Sequence, residues 1–308
     1  MGTTYTVKVV TSPLREERTH AVERLIQDQL DDVDSKMSTY KPESELSRFN
    51  RLHATTPFSV SRDTLEVFRV AHEVSVLSGG AFDVTVAPLV NVWGFGPEPA
   101  PEHVPSEERI AALRRHVGFA KVEISPETST LRKLDPLVTC DLSAIASGYG
   151  VDRVATALER DGLDRYLIEV GGEVRAAGLS ETDEPWRLGI ERPDGKAFVR
   201  TVPLLNRSLA TSGNYRNFEE IDGRRFSHTI DPGTGRPVTH GLASVTVTEK
   251  LCVRADALAA ALSALGPERG YELAVREELS ALFLVRGEPD AVRERATPAF
   301  ERSFPRPR

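Results

Sequence analysis

This sequence has few cysteines, no long apolar runs and no excess of positive charge. The 308 residues include two cysteines, Cys140 and Cys252. Neither belongs to a CxxC pair, which excludes a disulfide framework and a thiolate zinc site, and both are predicted to be buried apolar residues. The formal net charge is −7, so no overall basic field attracts nucleic acid, and no nucleic-acid partner is predicted.

A membrane-spanning segment is also absent from the sequence pattern. No stretch approaches the ~18 uninterrupted apolar residues that a span requires, and we therefore predict no membrane segment. The N-terminus, MGTTYTVKVV, lacks the pattern of a signal peptide. The sequence as given predicts a cytoplasmic protein, while removal of an export segment from before residue 1 stays open as an alternative.

The pattern of apolar residues predicts more strands than helices. Strands are predicted at residues 5–9, 121–124, 137–142, 166–170, 173–177, 186–191, 198–204, 244–248 and 281–285. Helices are predicted at about 21–33, 64–77, 106–116, 145–158 and 254–265. Many strands are close neighbours in sequence, which favours an α+β fold over a doubly wound one. Residues 1–290 are predicted to form a single domain, and residues 291–308 a poorly ordered C-terminal extension.

The segment DLSAIASGYGVD, residues 141–152, places small residues where a predicted strand meets a helix. The N-terminus of a helix has unpaired backbone N–H groups and the positive end of the helix dipole, so a phosphate can bind there. An ordinary tight turn, with Ser143 as the helix cap, is the structural alternative.

Asp256 begins a helical segment that carries no further charge for nine residues. A carboxylate beside apolar surface is costly unless it is hydrogen-bonded, paired or bound to metal. Asp256 is therefore a candidate metal ligand, and oxygen ligands without His or Cys clusters suit Mg²⁺. Alternatively, Asp256 is an acidic first-turn residue that the helix dipole favours.

Three other polar side chains are candidates for ligand binding. His228 precedes a turn-forming Asp-Pro-Gly and is either a general base, a phosphate ligand or a structural histidine. Asp83 follows a Gly-Gly helix stop and either binds the polar edge of a ligand or belongs to an ordinary turn. Tyr40 either stacks on a flat heterocycle or anchors a loop. The polar loop LATSGNYR, residues 209–216, follows a strand in the same part of the chain.

Eight motifs occur in an order that resembles the FAD:protein FMN transferase family, the ApbE-like flavin transferases. They are MGTTYTV, MSTYKPESELSRFN, GGAFDVTVAPLVNVWGFG, DLSAIASGYGVD, the GGE turn at 171–173, ATSGNY, HTIDPGTGRPV and ADALAAAL. The resemblance implies a T-fold-like α+β enzyme with mixed, largely antiparallel sheets and packed helices. It also implies that the enzyme binds FAD, holds Mg²⁺ at the pyrophosphate and transfers FMN to a Thr or Ser of a target flavoprotein, with release of AMP.

The resemblance further implies which residues form the site. The implied FAD-binding positions are Tyr40, Ala81, Phe82, Asp83, Asp141, Ser147, His228 and Ile230. The implied Mg²⁺ ligands are Ala144, Asp256 and Ala260, of which the two alanines can offer only backbone carbonyls. His228 and Asp256 are the implied catalytic residues, with His228 or a metal-linked carboxylate easing deprotonation of the acceptor hydroxyl.

Three other functions stay open at this point. Water could replace the acceptor hydroxyl, which would make the chain an FAD diphosphatase that yields FMN and AMP. The chain could bind or store FAD without catalysis. It could also be a generic metal-dependent phosphohydrolase, which would cleave unrelated nucleotides.

Overall fold

A computed structural model describes residues 2–193, 195, 197–213, 218–287 and 291–306. Its helices are α1 Glu16–Met37, α2 Glu45–Arg51, α3 Arg62–Leu77, α4 Ala87–Val92, α5 Glu107–Arg114, α6 Ala146–Arg160, α7 Cys252–Arg276 and α8 Pro298–Ser303. Its strands are β1 Tyr5–Val9, β2 Phe58–Ser59, β3 Val122–Ser125, β4 Thr130–Lys133, β5 Tyr166–Val170, β6 Glu173–Ala177, β7 Trp186–Glu191, β8 Phe198–Leu204, β9 Arg207–Gly213, β10 Phe218–Ile221, β11 Arg224–Ser227, β12 Ile230–Asp231, β13 Arg236–Pro237, β14 Leu242–Glu249, β15 Ser280–Arg286 and β16 Val292–Ala296.

A seven-stranded sheet forms the centre of the fold, in the order β1-β5-β6-β9-β14-β15-β16. Every neighbouring pair in this sheet is antiparallel. Smaller antiparallel sheets, β2-β4-β3, β7-β8, β10-β11 and β12-β13, surround it. The predicted α+β fold with largely antiparallel sheets and packed helices is confirmed.

The two faces of the central sheet bury different partners. Ala281 and Phe283 of β15 belong to the large apolar core that α3 and α7 share with the sheet. Leu282 and Leu284 point to the other face and pack with residues of the β7-β8 hairpin and α8. Successive side chains of a strand point to opposite faces, so residues 281–285 of β15 are all apolar because both faces of the strand are covered.

Helix α7 changes direction at Gly266, where the backbone has a φ of +81°. A side chain there would meet the His240 ring at 2.6 Å, so both the conformation and the packing favour glycine. Pro267 begins the second part of the helix, a position where its missing N–H costs little. The predicted end of the first helical part at Leu265 therefore coincides with this kink, although helix continues to Arg276.

Two sequence predictions differ from the structure. Residues 137–142 are not a strand, because the Cys140 backbone pairs with the side chain of Asn50 instead of with a neighbouring strand: its N–H donates to Asn50 Oδ1 and its carbonyl accepts from Asn50 Nδ2, both at 2.8 Å. The sequence predicts poor order for residues 291–308, yet in the described part of that segment β16 pairs with β15 and Phe300 of α8 is fully buried.

The single-domain boundary at residue 290 lies outside the described residues and stays a prediction. Cys140 and Cys252 are both free and fully buried, as predicted for apolar residues. Among the helices that the structure describes, none has the length and apolar character needed to cross a membrane.

Candidate active site

Two cavities lie side by side where the loop before α6 meets α7. The first has a volume of about 540 Å³ and the second about 660 Å³, sizes typical of small-molecule sites. The residues that line both cavities are Ser143, Ala144, Ser212, His228 and Ala260. A ligand with two parts can therefore extend from one cavity into the other.

Every site residue that the sequence predicted lines at least one of these cavities. Those on the first cavity are Tyr40, Ala81, Phe82, Asp83, Asp141 and Ile230; those on the second are Ser147 and Asp256; and Ala144, His228 and Ala260 lie on both. The structure thus brings together residues that are more than 200 positions apart in the chain.

Asp256 is the fifth residue of α7, in its second turn, and is 8% exposed, so the alternative of an acidic first-turn residue favoured by the helix dipole is wrong. Its Oδ2 accepts hydrogen bonds from the Ser147 hydroxyl at 3.0 Å and from the Gly148 N–H at 2.9 Å. A side chain at Gly148 would meet the Cys252 carbonyl oxygen at 2.6 Å, so glycine allows α6 and α7 to approach this closely. Burial raises the pKa of Asp256 to about 6, and the two hydrogen bonds oppose that shift.

Glu173 is a second buried carboxylate on the second cavity, and it is 9% exposed. Burial and the negative charge of Asp256 raise the pKa of Glu173 well above its ordinary value, while a hydrogen bond with Ser147 lowers it. None of the main influences on the pKa of either carboxylate is a Lys or Arg of the described residues. Two buried acids without a basic partner favour a shared proton or a bound cation.

Sequence reasoning did not single out Glu173 as a site residue. The residue was noticed only as the last letter of the GGE turn. Glu173 and Asp256 are far apart in the sequence, so the sequence does not show that they are neighbours. They are close in the structure because Glu173 begins β6, which lies beside the N-terminal ends of α6 and α7. The feature of the sequence that could have identified Glu173 is its position directly after two glycines.

The oxygen atoms around Asp256 fit a hard cation such as Mg²⁺. Ala144 lies just before the N-cap of α6, so its carbonyl is outside the helical hydrogen-bond pattern, and the Gly148 N–H of the first turn donates to Asp256. The Ala260 carbonyl lies inside α7, where the helical hydrogen bonds use it. No three His, Cys, Asp or Glu residues in the described ranges form a metal cluster, so substrate phosphates and water would have to complete the shell.

The start of α6 differs from the predicted cap. Ser143 does not cap the helix: its N–H and hydroxyl both donate to Asp141 Oδ1, at 2.8 and 2.6 Å. Ile145 occupies the N-cap position, and no side chain caps the helix there. In the first turn of α6 the Ala146 N–H donates to the Leu142 carbonyl and the Gly148 N–H to Asp256, so the Ser147 N–H is the donor that this turn can offer to a phosphate.

Tyr40 and Ile230 give the first cavity its apolar and aromatic surface. Tyr40 is 68% exposed, whereas Ile230 is buried. Phe218, at the start of β10, also lines this cavity and is largely exposed; sequence reasoning missed it because a lone aromatic carries no motif. Exposed rings beside an apolar wall suit a flat heterocyclic ligand.

Asp83 lines the first cavity, but its carboxylate is already engaged. Its Oδ1 accepts from the Thr85 N–H at 2.8 Å and the Thr85 hydroxyl at 2.6 Å, and its Oδ2 accepts from the Phe119 N–H at 2.8 Å. Burial raises the pKa of Asp83. Asp83 thus fixes the loop that carries Ala81 and Phe82 along the cavity wall.

His228 lies at the boundary between the two cavities, directly after β11. Its ring makes an edge contact with Phe95, with centroids 6.4 Å apart. This position places an imidazole beside both the apolar first cavity and the acidic second cavity, where it can exchange a proton with a ligand in either. In the preceding polar loop, residues 214–217 lie outside the described residues.

Asp152, the last residue of the DLSAIASGYGVD motif, has a structural role. Its Oδ2 accepts from the Val253 N–H at 2.9 Å, and its Oδ1 accepts from Arg175 at 2.7 Å. The carboxylate therefore caps the first turn of α7. It holds in place the start of the helix that presents Asp256.

The fold and the site define a class of protein: an antiparallel α+β protein with two adjoining cavities, the second of which is lined by buried carboxylates. The ApbE family profile matches residues 1–283, which is nearly the whole chain. The chain belongs to the ApbE family.

Known proteins resemble this chain over nearly their full lengths. A FAD:protein FMN transferase of Vibrio cholerae is 43% identical over 304 residues, which cover 98% of this chain and 90% of that protein. The structure of the flavin transferase ApbE from Vibrio cholerae has a TM-score of 0.90 at 41% identity and covers 99% and 96% of the two chains. The apo flavinyl transferase ApbE of Pseudomonas stutzeri also has a TM-score of 0.90, at 39% identity, with 100% and 95% covered.

Proposed function

We propose that this protein is a Mg²⁺-dependent FAD:protein FMN transferase. It cleaves the pyrophosphate of FAD, transfers FMN to a Thr or Ser hydroxyl of an acceptor flavoprotein and releases AMP. The relatives that carry this name support the activity. The observation that carries the proposal is the boundary between the cavities, where His228, Ala144 and the start of α6 separate an apolar pocket from the carboxylates of Asp256 and Glu173.

The flavin half of FAD fits the first cavity. Tyr40 provides an exposed ring for the isoalloxazine, and Ile230 provides an apolar wall. Asp141 uses Oδ1 for Ser143, while its Oδ2 has no hydrogen-bond partner among the described residues and faces a polar edge of the ligand. The pyrophosphate then lies near the first turn of α6, beside Ser147.

Asp256 and the Ala144 carbonyl are the groups best suited to hold Mg²⁺, and Ala260 lies one turn beyond Asp256 on the same helix face. When bound, Mg²⁺ neutralises pyrophosphate oxygens and stabilises the leaving phosphate. Ser147 and Gly148 keep the Asp256 carboxylate oriented through their hydrogen bonds. The surrounding apolar residues of α7 exclude water from the buried side of that carboxylate.

The transfer forms one bond and breaks one. The acceptor oxygen bonds to the FMN phosphorus, the bond from that phosphorus to the bridging oxygen breaks, and AMP leaves with the bridging oxygen. His228 takes the hydroxyl proton as the new bond forms.

The cytoplasmic location and the absence of a nucleic-acid partner stay predictions from the sequence.

Incubation with FAD, Mg²⁺ and a flavoprotein that bears the acceptor Thr, followed by intact mass measurement of that flavoprotein, tests the function. We expect a gain of one FMN that requires Mg²⁺ and is lost when the acceptor Thr is replaced by Val. Free FMN and AMP without an adduct would assign the protein as an FAD diphosphatase. Intact FAD after long incubation would assign it as an FAD-binding protein.

A further inference from the structure

One edge of β9 is only partly covered by its neighbour. Val174–Ala176 of β6 pair with Arg207–Leu209, and the chain turns at Gly171–Gly172 just before β6. From Ala210 to Gly213 no strand among the described residues lies on that edge, although β14 continues to pair with the other edge. Backbone N–H and C=O groups of alternate residues point away from β14 and can accept an added strand.

This uncovered edge lies on the wall of the second cavity. Thr211, Ser212 and Gly213 line the cavity, and residues 188–191 of β7 line it as well. The same cavity contains His228 and Asp256. A chain that runs along the edge of β9 therefore arrives at the place where the transfer is proposed to occur.

We propose that the acceptor flavoprotein binds in the second cavity as an extended segment that adds to the uncovered edge of β9. This inference rests on the proposed function, since it names the docking site of the acceptor in that reaction. The acceptor hydroxyl lies between His228 and the phosphate beside Asp256. The first cavity holds the flavin, so the hydroxyl approaches along the β9 side of the second cavity, and the rest of that cavity is left for the AMP half of FAD.

An extended segment fits the cavity better than a folded surface does. The reacting phosphorus lies beside Asp256, which is 8% exposed, and only a narrow chain can carry a hydroxyl to such a depth. A strand advances about 3.3 Å per residue, so a few residues cross a cavity of about 660 Å³. Main-chain hydrogen bonds provide affinity, while contacts with side chains provide selection.

The β7 wall is available for selection of the acceptor. Leu188 is partly buried: it packs against the apolar cluster that contains Trp186 and Ile190, and it also lines the cavity. Its neighbour Gly189 has no room for a side chain, because a Cβ there would meet the Phe198 ring at 2.4 Å. The part of Leu188 that faces the cavity therefore provides an apolar contact for an acceptor side chain, and Gly189 leaves the wall beside Leu188 without a projecting side chain.

Substitution of Leu188 tests the docking site in the full-length enzyme. Leu188→Arg places a long charged side chain in the cavity, and Thr201→Arg is the matched control because Thr201 is exposed on the paired strand β8 and does not line the cavity. With an acceptor flavoprotein as substrate, we expect Leu188→Arg to raise the acceptor KM at least tenfold. The FAD Kd should stay unchanged although the lost packing of Leu188 lowers the Tm, and Thr201→Arg should alter none of the three.

An unchanged acceptor KM for Leu188→Arg would overturn the docking site while leaving the transferase activity intact. If the unsubstituted enzyme transfers no FMN, the proposed function itself fails. The two failures are thus distinguished by the unsubstituted enzyme alone.

A synthetic peptide copied from the acceptor site tests the strand addition. As a competitor, it should inhibit transfer, and N-methylation of alternate backbone amides should weaken that inhibition at least tenfold, because a methyl group removes a donor to β9. Methylation at the intervening amides should have little effect. Equal inhibition by all methylated peptides, or none by the unmodified peptide, would overturn the strand addition.

Discussion

The Ser147 hydroxyl donates a 3.0 Å hydrogen bond to Asp256 Oδ2 and so joins the start of α6 to the second turn of α7. The same carboxylate oxygen accepts the Gly148 N–H. Two donors on one oxygen fix the carboxylate and leave Oδ1 for a cation or a substrate group. The orientation of the candidate metal ligand therefore depends on a helix that lies more than 100 residues earlier in the chain.

Ser147→Ala is expected to weaken Mg²⁺ binding about fivefold, because one net hydrogen bond to the carboxylate contributes about 1 kcal/mol. Titration of transfer activity with Mg²⁺, together with direct Mn²⁺ binding by electron paramagnetic resonance, measures the change. Ser143→Ala is the control, since that hydroxyl donates to Asp141 instead. Equal Mg²⁺ and Mn²⁺ affinities in Ser147→Ala and the unsubstituted protein would remove the positioning role.

Asp256→Asn is expected to abolish Mg²⁺-dependent turnover while weak FAD binding persists. The amide cannot supply the negative charge that a Mg²⁺ ligand provides. Transfer by mass measurement and FAD binding by flavin fluorescence separate the two effects. Unchanged turnover would exclude Asp256 as a ligand.

Asp152→Ala serves as a contrasting variant. It should lower the free energy of unfolding by about 2 kcal/mol, because the change removes the cap of α7 and one of the two carboxylate partners of half-buried Arg175, which keeps Glu159. Asp256→Asn should not destabilise the metal-free protein to that extent. Urea unfolding of both variants, without metal, provides the comparison.

Mg²⁺ stabilisation is expected to depend on pH through Asp256. Burial raises its pKa to about 6, above the ordinary value of about 4. The folded protein thus keeps a proton that the unfolded chain loses between these values, so this group contributes stability below about pH 4 that is lost as the pH rises through 6. Mg²⁺ must displace that proton.

The increase in Tm produced by Mg²⁺ should therefore be small near pH 5 and should level off above about pH 7. Thermal unfolding with and without Mg²⁺ across this range measures the effect. In Asp256→Asn the increase should be absent at every pH. The same Mg²⁺-induced increase at pH 5 and pH 7 in the unsubstituted protein would count against this carboxylate as the ligand.

His228→Gln is expected to lower the transfer rate by about 100-fold, since a positioned general base contributes at least that factor. Glutamine keeps hydrogen-bonding groups and similar bulk, so FAD affinity should change little. Single-turnover transfer at saturating FAD isolates the chemical step. Full retention of the rate would exclude His228 as the base and favour a metal-linked carboxylate.

Local patterns in the sequence predicted much of the fold. Strands 166–170, 173–177, 186–191 and 198–204 have the predicted bounds, because alternation of side chains reports directly on a half-buried strand. Residues 137–142 show the same alternation yet form no strand. Burial of alternate side chains there is local, whereas the partner of the Cys140 backbone, Asn50, is 90 residues away.

The sequence by itself determined the α+β class, the family resemblance and many of the residues that line the cavities, because these follow from periodicity and from motifs of a few residues. Only the tertiary structure decided what each residue touches. It placed Glu173 beside Asp256, engaged Asp83 within its own loop and left an edge of β9 open to the second cavity. These relationships depend on packing between distant segments, and packing geometry is not encoded in the spacing of residues along the chain.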